Sequence, residues 1–500
     1  MSVSVGRNRI IVVGAAVALT LVIGAVVHTM DRSSPGSPAG DDTEVRQPTA
    51  SVDIVRSTDP NRFSIEVSRR LYRSSNTAVL VDAKDQQAQR IAIASASALG
   101  VPVLLDDPAA PAELERLGAR TVLTFGATHD VPRARTVPVD RTRAAEVVAE
   151  IRGTTAGPGK RHLDTIVVTR SRNDNAAAVA SAVSAGAEVV EIPGADPRRD
   201  PAAAKILAAR PRTPVVALGT AFADGFTYSL AVVRERATQA SGGYLALGRH
   251  YTALYGHPGA PSLGVLGEQG VAASIARVKR LAKKYRAVSK AEFVPTFEII
   301  ATVASGGAGK DRDYSQEASI EKLTPLVDAA EEAGVYVILD LQPGRSDFLT
   351  QAKLYRRLLE RPHVGLALDP EWRLKKGQKH LRQIGSVQAA EVNRVADWLA
   401  DLTRRKVLPQ KLFVLHQFSL SMIKHRDRLD TRHAELATVI HVDGSGSQGA
   451  KQGTWKTLRH DAPKGIGWGW KNFYDEDPRM LTVAQTWRRV RPHPDLITYQ

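Results

Sequence analysis

The sequence predicts an α/β protein with parallel-sheet units in its N-terminal half and a (β/α)8 TIM-like barrel in its C-terminal half. Three observations predict this. Short apolar runs alternate with amphipathic stretches of helical spacing through most of the chain. A strand–helix–strand–helix–strand pattern over residues 77–126 recurs over residues 165–219. Beyond Ser241-Gly242-Gly243, eight strand candidates alternate with helical ones in roughly 255 residues, the size of a single barrel.

The chain opens with Arg7 and Arg9 ahead of an apolar run from Ile10 to Val27. At about 1.5 Å per residue that run spans about 27 Å, close to a bilayer core. The expectation is a cytoplasmic stub (1–9), a transmembrane anchor or signal segment (10–27) and an outward-facing remainder. Residues 28–51, rich in Ser, Pro, Gly, Asp and Thr, read as a flexible linker. The formal net charge of +16 suits an anionic surface. No Lys/Arg run is interleaved with aromatics, so no nucleic-acid partner is expected. The chain has no cysteine, which excludes disulfides, thiolate metal sites and an acylated lipoprotein anchor.

Residues 52–240 form the first folded region. Thr77–Val81, Val101–Leu105 and Thr121–Phe125 read as strands, with a helix over Asp85–Leu99 stopped by Gly100 and another over Pro111–Leu117 stopped by Gly118. The second copy places strands at Thr165–Val168, Ala187–Ile192 and Pro214–Leu218, with Ala-rich helices between. No G-x-G-x-x-G follows a strand, so no dinucleotide cofactor is expected. Gly100-Val-Pro-Val-Leu-Leu, Glu113-Leu-Glu-Arg-Leu-Gly and Val122-Leu-Thr-Phe-Gly resemble the type 2 cell-wall-binding repeat. That resemblance implies flavodoxin-like units and attachment to an anionic wall polymer. About two copies are visible, and Asp85-Gln86-Gln87 stands where the family has Asp-Ala-Leu.

In residues 243–500 the strand candidates are Tyr251–Tyr255, Pro295–Ile300, Val335–Leu339, Val364–Leu368, Leu412–Leu415, Ala437–Val442, Gly465–Trp470 and Leu496–Tyr499. The intervening helical stretches include Asp347–Arg361 and Ser421–Arg432. Alternation along a strand sends every second side chain inward, and barrel enzymes carry their chemistry at the strands' C-terminal ends. By that rule Tyr255 and His257 end the first strand and Glu298 sits on the second. Asp340 and Gln342 end the third, and Asp369 and Glu371 the fourth. His416 ends the fifth, His441 and Asp443 the sixth. Trp468 and Trp470 lie on the seventh, followed by Lys471 and the run Tyr474–Asp477. A shared polar cleft is expected.

Neighbouring carboxyls can separate in acidity and act as acid and base or nucleophile, the requirement of glycoside hydrolysis. Indoles offer flat faces to sugar rings. Glu371, Asp369, Asp340, Asp443 and Glu298 are therefore the candidate catalytic residues. His416, His441, Trp468, Trp470, Tyr255, His257 and Gln342 are the candidates for binding substrate. The Asp369-Pro-Glu371 tip resembles the fourth strand of the chitinase-like clan, which implies Glu371 as general acid. Gly365 and Ala367 stand where that clan has further acids. A metal site drawn from His416, His441, Asp443, Asp340 and Glu298 is the rival chemistry, without H-x-H or H-E-x-x-H spacing to support it. No metal or cofactor is expected. Ser305-Gly-Gly-Ala-Gly-Lys310 is not a P-loop, because Asp311 follows where Ser or Thr must bind magnesium. The whole C-terminal half also resembles an uncharacterised exported actinobacterial group with the same LDPEW, HQF, HVDG and FYDED signatures, which implies export and a barrel. The expected function is an envelope protein acting on a glycan by carboxylate chemistry. The alternative is a non-catalytic wall-binding or adhesion protein whose cleft holds sugar.

Overall fold

The computed structural model describes residues 43–500, apart from 128, 155–160 and 240. The Ile10–Val27 run lies outside the described residues. Among those described, no helix is long and apolar enough to cross a membrane.

Two four-stranded parallel sheets form the N-terminal region. The first has the order Val103–Leu105, Thr77–Val81, Thr121–Phe125, Arg135–Pro138. The second runs Glu188–Glu191, Ile166–Thr169, Val215–Leu218, Val52–Val55. Both therefore have one spatial order. The first sheet takes its outer strand from downstream, whereas the second takes it from the start of the folded chain. The helix Pro60–Leu71 carries the chain from the second sheet to the first, with Asp59 capping its first turn. Hydrogen bonds then tie the units together. Tyr72 Oη donates to the Ser181 carbonyl at 2.7 Å, and the Val103 amide donates to Ser181 Oγ at 3.0 Å.

One expectation is corrected here. The linker was expected to run to residue 51, but Thr43–Val45 pairs antiparallel with Tyr72–Ser75. The outer strands Arg135–Pro138 and Val52–Val55 lie beyond the duplicated motif. They escape a pattern search because the first is mostly exposed and the second is remote in sequence.

The C-terminal half is a closed barrel of eight parallel strands: β1 (His250–Gly256), β2 (Phe293–Ala304), β3 (Tyr336–Leu341), β4 (Val364–Leu368), β5 (Lys411–His416), β6 (Leu436–Val442), β7 (Gly467–Asn472) and β8 (Leu496–Tyr499). β8 pairs with β1 and closes the ring. Following the register once round from Tyr251 returns to the level of Gly243, eight residues away, the stagger of a (β/α)8 barrel. A short strand, Ser315–Glu317, adds antiparallel to the end of β2, so the Ser305–Lys310 loop belongs to a hairpin.

Alternation holds along the strands, except where β2 shifts register between Ile300 and Thr302. Tyr251, Ala253, Val294, Tyr336, Ile338, Ala367, Leu412, Val414, Ala437, Val439 and Leu496 fill the lower interior. The outward set, including Leu366, Leu368, Phe413 and Leu415, packs under the helices. Ser421–Arg432 was expected to be a helix and is not. Two 3-10 turns flank Ile423–Lys424, which pairs with Val387–Gln388, and His425 at φ 56 breaks any helical run.

The second N-terminal unit and the segment that follows it pack against the bottom of the barrel. Tyr228 Oη donates to the Leu408 carbonyl at 2.7 Å, Gln239 Nε2 to Gln410 at 2.8 Å and Arg198 Nη1 to Ala434 at 2.9 Å. Those acceptors precede β5 and β6, so this contact lies at the end opposite the C-terminal mouth.

Inward glycines let large side chains meet inside the ring. A Cβ on Gly469 of β7 would lie 2.4 Å from His441 Cδ2. Gly469→Ala is expected to lower stability by about 1–3 kcal/mol through overpacking, seen as a lower urea midpoint. An unchanged midpoint would show that His441 can move aside.

Candidate active site

The upper interior of the barrel is polar. β1 contributes Tyr255, β2 Glu298, β3 Asp340, β5 His416, β6 His441, β7 Lys471 and β8 Thr498, all buried. Gln342 and Asp443 follow directly after β3 and β6 and are also buried. At the tip of β4 the Asp369 carboxylate accepts the Glu371 amide at 3.2 Å. Pro370 starts the short turn Pro370–Trp372. Aspartate as cap and proline in first position are suited to begin a helical turn. The turn carries Glu371 to the rim of the barrel interior.

His416 is the centre of the network. Its Nδ1 lies 2.7 Å from Asp443 Oδ2 and its Nε2 lies 2.8 Å from Glu298 Oε1. Asp340 Oδ1 is 3.8 Å from the same Nε2. Tyr255 Oη donates to Asp340 Oδ2 at 2.8 Å and receives Gln342 Nε2 at 3.3 Å. Lys471 Nζ stands 3.5 Å from the centre of the Tyr255 ring. His441 packs its ring 4.9 Å from that of His416, and Thr498 Oγ1 lies 3.0 Å from its Nε2.

Five carboxyl groups (Glu298, Asp340, Asp369, Glu371 and Asp443) thus crowd the upper interior and its rim with His416 and Lys471. Burial alone would strip the proton from His416, but Asp340, Asp443 and Glu298 outweigh it and hold the imidazole well above its usual range. It is an imidazolium that donates both N–H groups. Burial opposes ionisation of Asp443 too, yet the His416 charge and hydrogen bond bring it below the usual carboxylate range. Asp369, Asp340 and Glu371 go the opposite way. Burial, then the Glu371 charge, drives Asp369 well upward. Burial also raises Asp340. Glu371 is raised by burial, then by the Asp443 charge, to about 7. Burial and the His416 charge keep His441 neutral.

A cavity of about 310 Å³ opens over this cluster. Tyr255, Gln342, Asp369, Glu371, Asp443 and Lys471 line its polar side, and Trp372, His380 and Phe473 supply rings. Asp443 Oδ1 and the Trp372 Nε1–H are buried without a hydrogen-bond partner.

Most of the residues expected in the cleft are brought together, but not all. Glu298, Asp340, His416 and His441 lie beneath the cavity and do not line it. Trp468 and Trp470 were expected to face sugar and do not. On β7 the inward positions belong to Gly467, Gly469 and Lys471, so both indoles point outward against Trp455. His257 is also outside the cavity. Its Nδ1 meets the Ile300 carbonyl at 2.9 Å, and its Nε2 accepts from Lys322 at 2.7 Å. In the run after β7, Asp477 is structural: it pairs with Lys451 and accepts the amides of Gly446 and Phe473. Trp372 and Phe473 were missed as cavity aromatics, although Trp372 directly follows Glu371 in sequence.

Asp369, His416 and Asp443 each offer a ligand atom, all within 4.8 Å of one another. A cation there would have to displace one of the two hydrogen bonds of His416, because Nδ1 is engaged by Asp443 and Nε2 by Glu298.

The fold and site define a (β/α)8 barrel with an acidic cluster buried beneath its C-terminal mouth. No protein-family model matches the chain, and no curated protein matches it. Among solved structures, Cwp6 from Clostridium difficile aligns with 64% of this chain and 63% of its own length, under two thirds of that chain, at 11% identity and a TM-score of 0.19. So distant a likeness decides neither fold nor function, which rest on strand order and side-chain geometry.

The Glu371 shift has a consequence for stability. Its folded value lies above its unfolded one, so the unfolded chain releases the proton first. The contribution is complete below about 4.5 and is lost as pH rises through about 7. Thermal melting from pH 5 to pH 8 is expected to show a fall that Glu371→Gln flattens. An identical pH profile in the variant would contradict the shift.

Proposed function

We propose that the barrel hydrolyses a glycosidic bond, with Glu371 as general acid and Asp443 as its ionised partner. One observation carries the reading: two carboxyls line one cavity with acidities driven apart, Glu371 upward to about 7 and Asp443 downward. That separation is what acid/base division of labour requires. Glu371, which keeps its proton up to about pH 7, gives it to the leaving glycosidic oxygen. Asp443, held ionised by His416, faces the positive charge that develops at the sugar's anomeric carbon. It acts on water as base or on carbon as nucleophile, according to its spacing from Glu371. Asp369 caps the turn that aims Glu371. Trp372 and Phe473 take the sugar-stacking role first expected of Trp468 and Trp470. Glu298 and Asp340 are positioning residues that act through His416 and Tyr255. In the same reading the protein works outside the cytoplasm, with its N-terminal units against a wall polymer.

The test is turnover of purified envelope glycans by the full chain, read as new reducing ends. Glu371→Gln is expected to lower kcat by about 10²–10⁴ with little change in KM, and Asp443→Asn to act similarly. Wild-type kcat should fall as pH rises past about 7, where Glu371 loses its proton. Equal turnover by Glu371→Gln would contradict the assignment. Glycan binding without turnover would favour the sugar-holding, non-catalytic alternative.

A further inference from the structure

The loop that leaves β4 forms one wall of the mouth. It is closed at its base: the Gly385 amide donates to the Glu371 carbonyl at 2.6 Å, and Ser386 to Arg373 at 3.2 Å. A Cβ on Gly385 would lie 2.5 Å from the Glu371 carbonyl oxygen, so only glycine allows that closure. The Arg345 guanidinium, which also stacks on Tyr314, braces the loop by donating to the Gln378 carbonyl at 2.7 Å. From Arg373 to Ser386 there is no acidic residue. Lys375, Lys376, Lys379 and Arg382 are exposed, and among the described residues none of their side chains makes an ion pair or hydrogen bond. Between these cations stand two large apolar side chains in solvent, Leu381 at 77% exposure and Ile384 at 54%. Leu381 has φ 57, a left-handed backbone that costs a leucine energy without burying it. The loop after β5 leaves the same face of the barrel and carries Leu420 at 49% exposure.

We propose that the mouth of the barrel docks on an anionic lipid bilayer through the 372–385 loop, with Leu381 and Ile384 entering the headgroup region. The four cations meet anionic headgroups, and the two aliphatic tips gain burial among the acyl chains. A soluble polyanion would use the charges but leave both tips in water. A second copy docked loop to loop would set like charges together. The docking does not depend on what the cavity binds.

The full chain contains no cysteine, so Leu381→Cys gives a single labelling position for an environment-sensitive fluorophore. The expected result is a blue shift with phosphatidylglycerol-containing vesicles and none with pure phosphatidylcholine. Removing the four cations together, as Lys375→Gln, Lys376→Gln, Lys379→Gln and Arg382→Gln, should raise the lipid concentration for half-maximal shift by about tenfold or more. The same number of charges removed from the helix Val271–Val288, at Lys279, Arg280, Lys283 and Lys284, should change it less than about twofold. A label at Val183→Cys, on an N-terminal unit, should not shift. No shift at position 381, an equal shift at 183, an equal effect of the helix variant, or the same shift with dextran sulfate in place of vesicles would overturn the proposal.

Discussion

The upper barrel depends on one ion triad, the His416 imidazolium between Asp443 and Glu298. A buried charge is tolerated only when it is paired and hydrogen-bonded. Here His416 is bonded through both ring nitrogens, at 2.7 and 2.8 Å, while the second oxygens, Asp443 Oδ1 and Glu298 Oε2, are buried without a partner. Three strands, β2, β5 and β6, are joined by these bonds across the interior. Removing the imidazole would leave two carboxylates facing each other in a space already holding Asp340 and Asp369.

The same triad sets the acidity of the rim. Because His416 holds Asp443 ionised, a fixed negative charge stands near Glu371 and, after burial, is the main reason its proton is retained. The site therefore needs no further titratable partner to divide acid from base. Positions below the rim serve this arrangement indirectly. Tyr255 keeps its phenolic proton because burial and then Asp340 raise it well above the usual range, and it spends that proton on Asp340. Gly469 of β7 makes the room in which His441 packs, tilted, beside His416.

Much of this was legible in the sequence. The period-two alternation placed Glu298, Asp340, Asp369, His416, His441 and Asp443 on inward registers, because a barrel strand has only two faces. The same rule was available for β7 and would have chosen Lys471 over its tryptophans. Large aromatics drew attention away from Gly467 and Gly469, which are the true sign of an inward face in a crowded ring. His257 lies just past β1, where strand alternation no longer governs, and a neighbouring lysine claims it. The break in Ser421–Arg432 was hidden because its apolar spacing suits a helix, while its burial comes from pairing with Val387–Gln388. The interlocking of the two N-terminal units was also out of reach, since it joins strands about 160 residues apart that share no local pattern.

The acid excess beneath the mouth contrasts with a chain of net charge +16. Five carboxyls stand beneath the mouth beside His416 and Lys471, so the acidity there is a local construction and not a reflection of composition. Its most direct measure is the titration of the Glu371 side chain, followed by carbon-13 NMR of selectively labelled protein and assigned by Glu371→Gln. A carboxyl midpoint near 7 is the predicted result. A midpoint near the ordinary glutamate value of about 4.3 would contradict the separation of acidities on which the proposed chemistry rests.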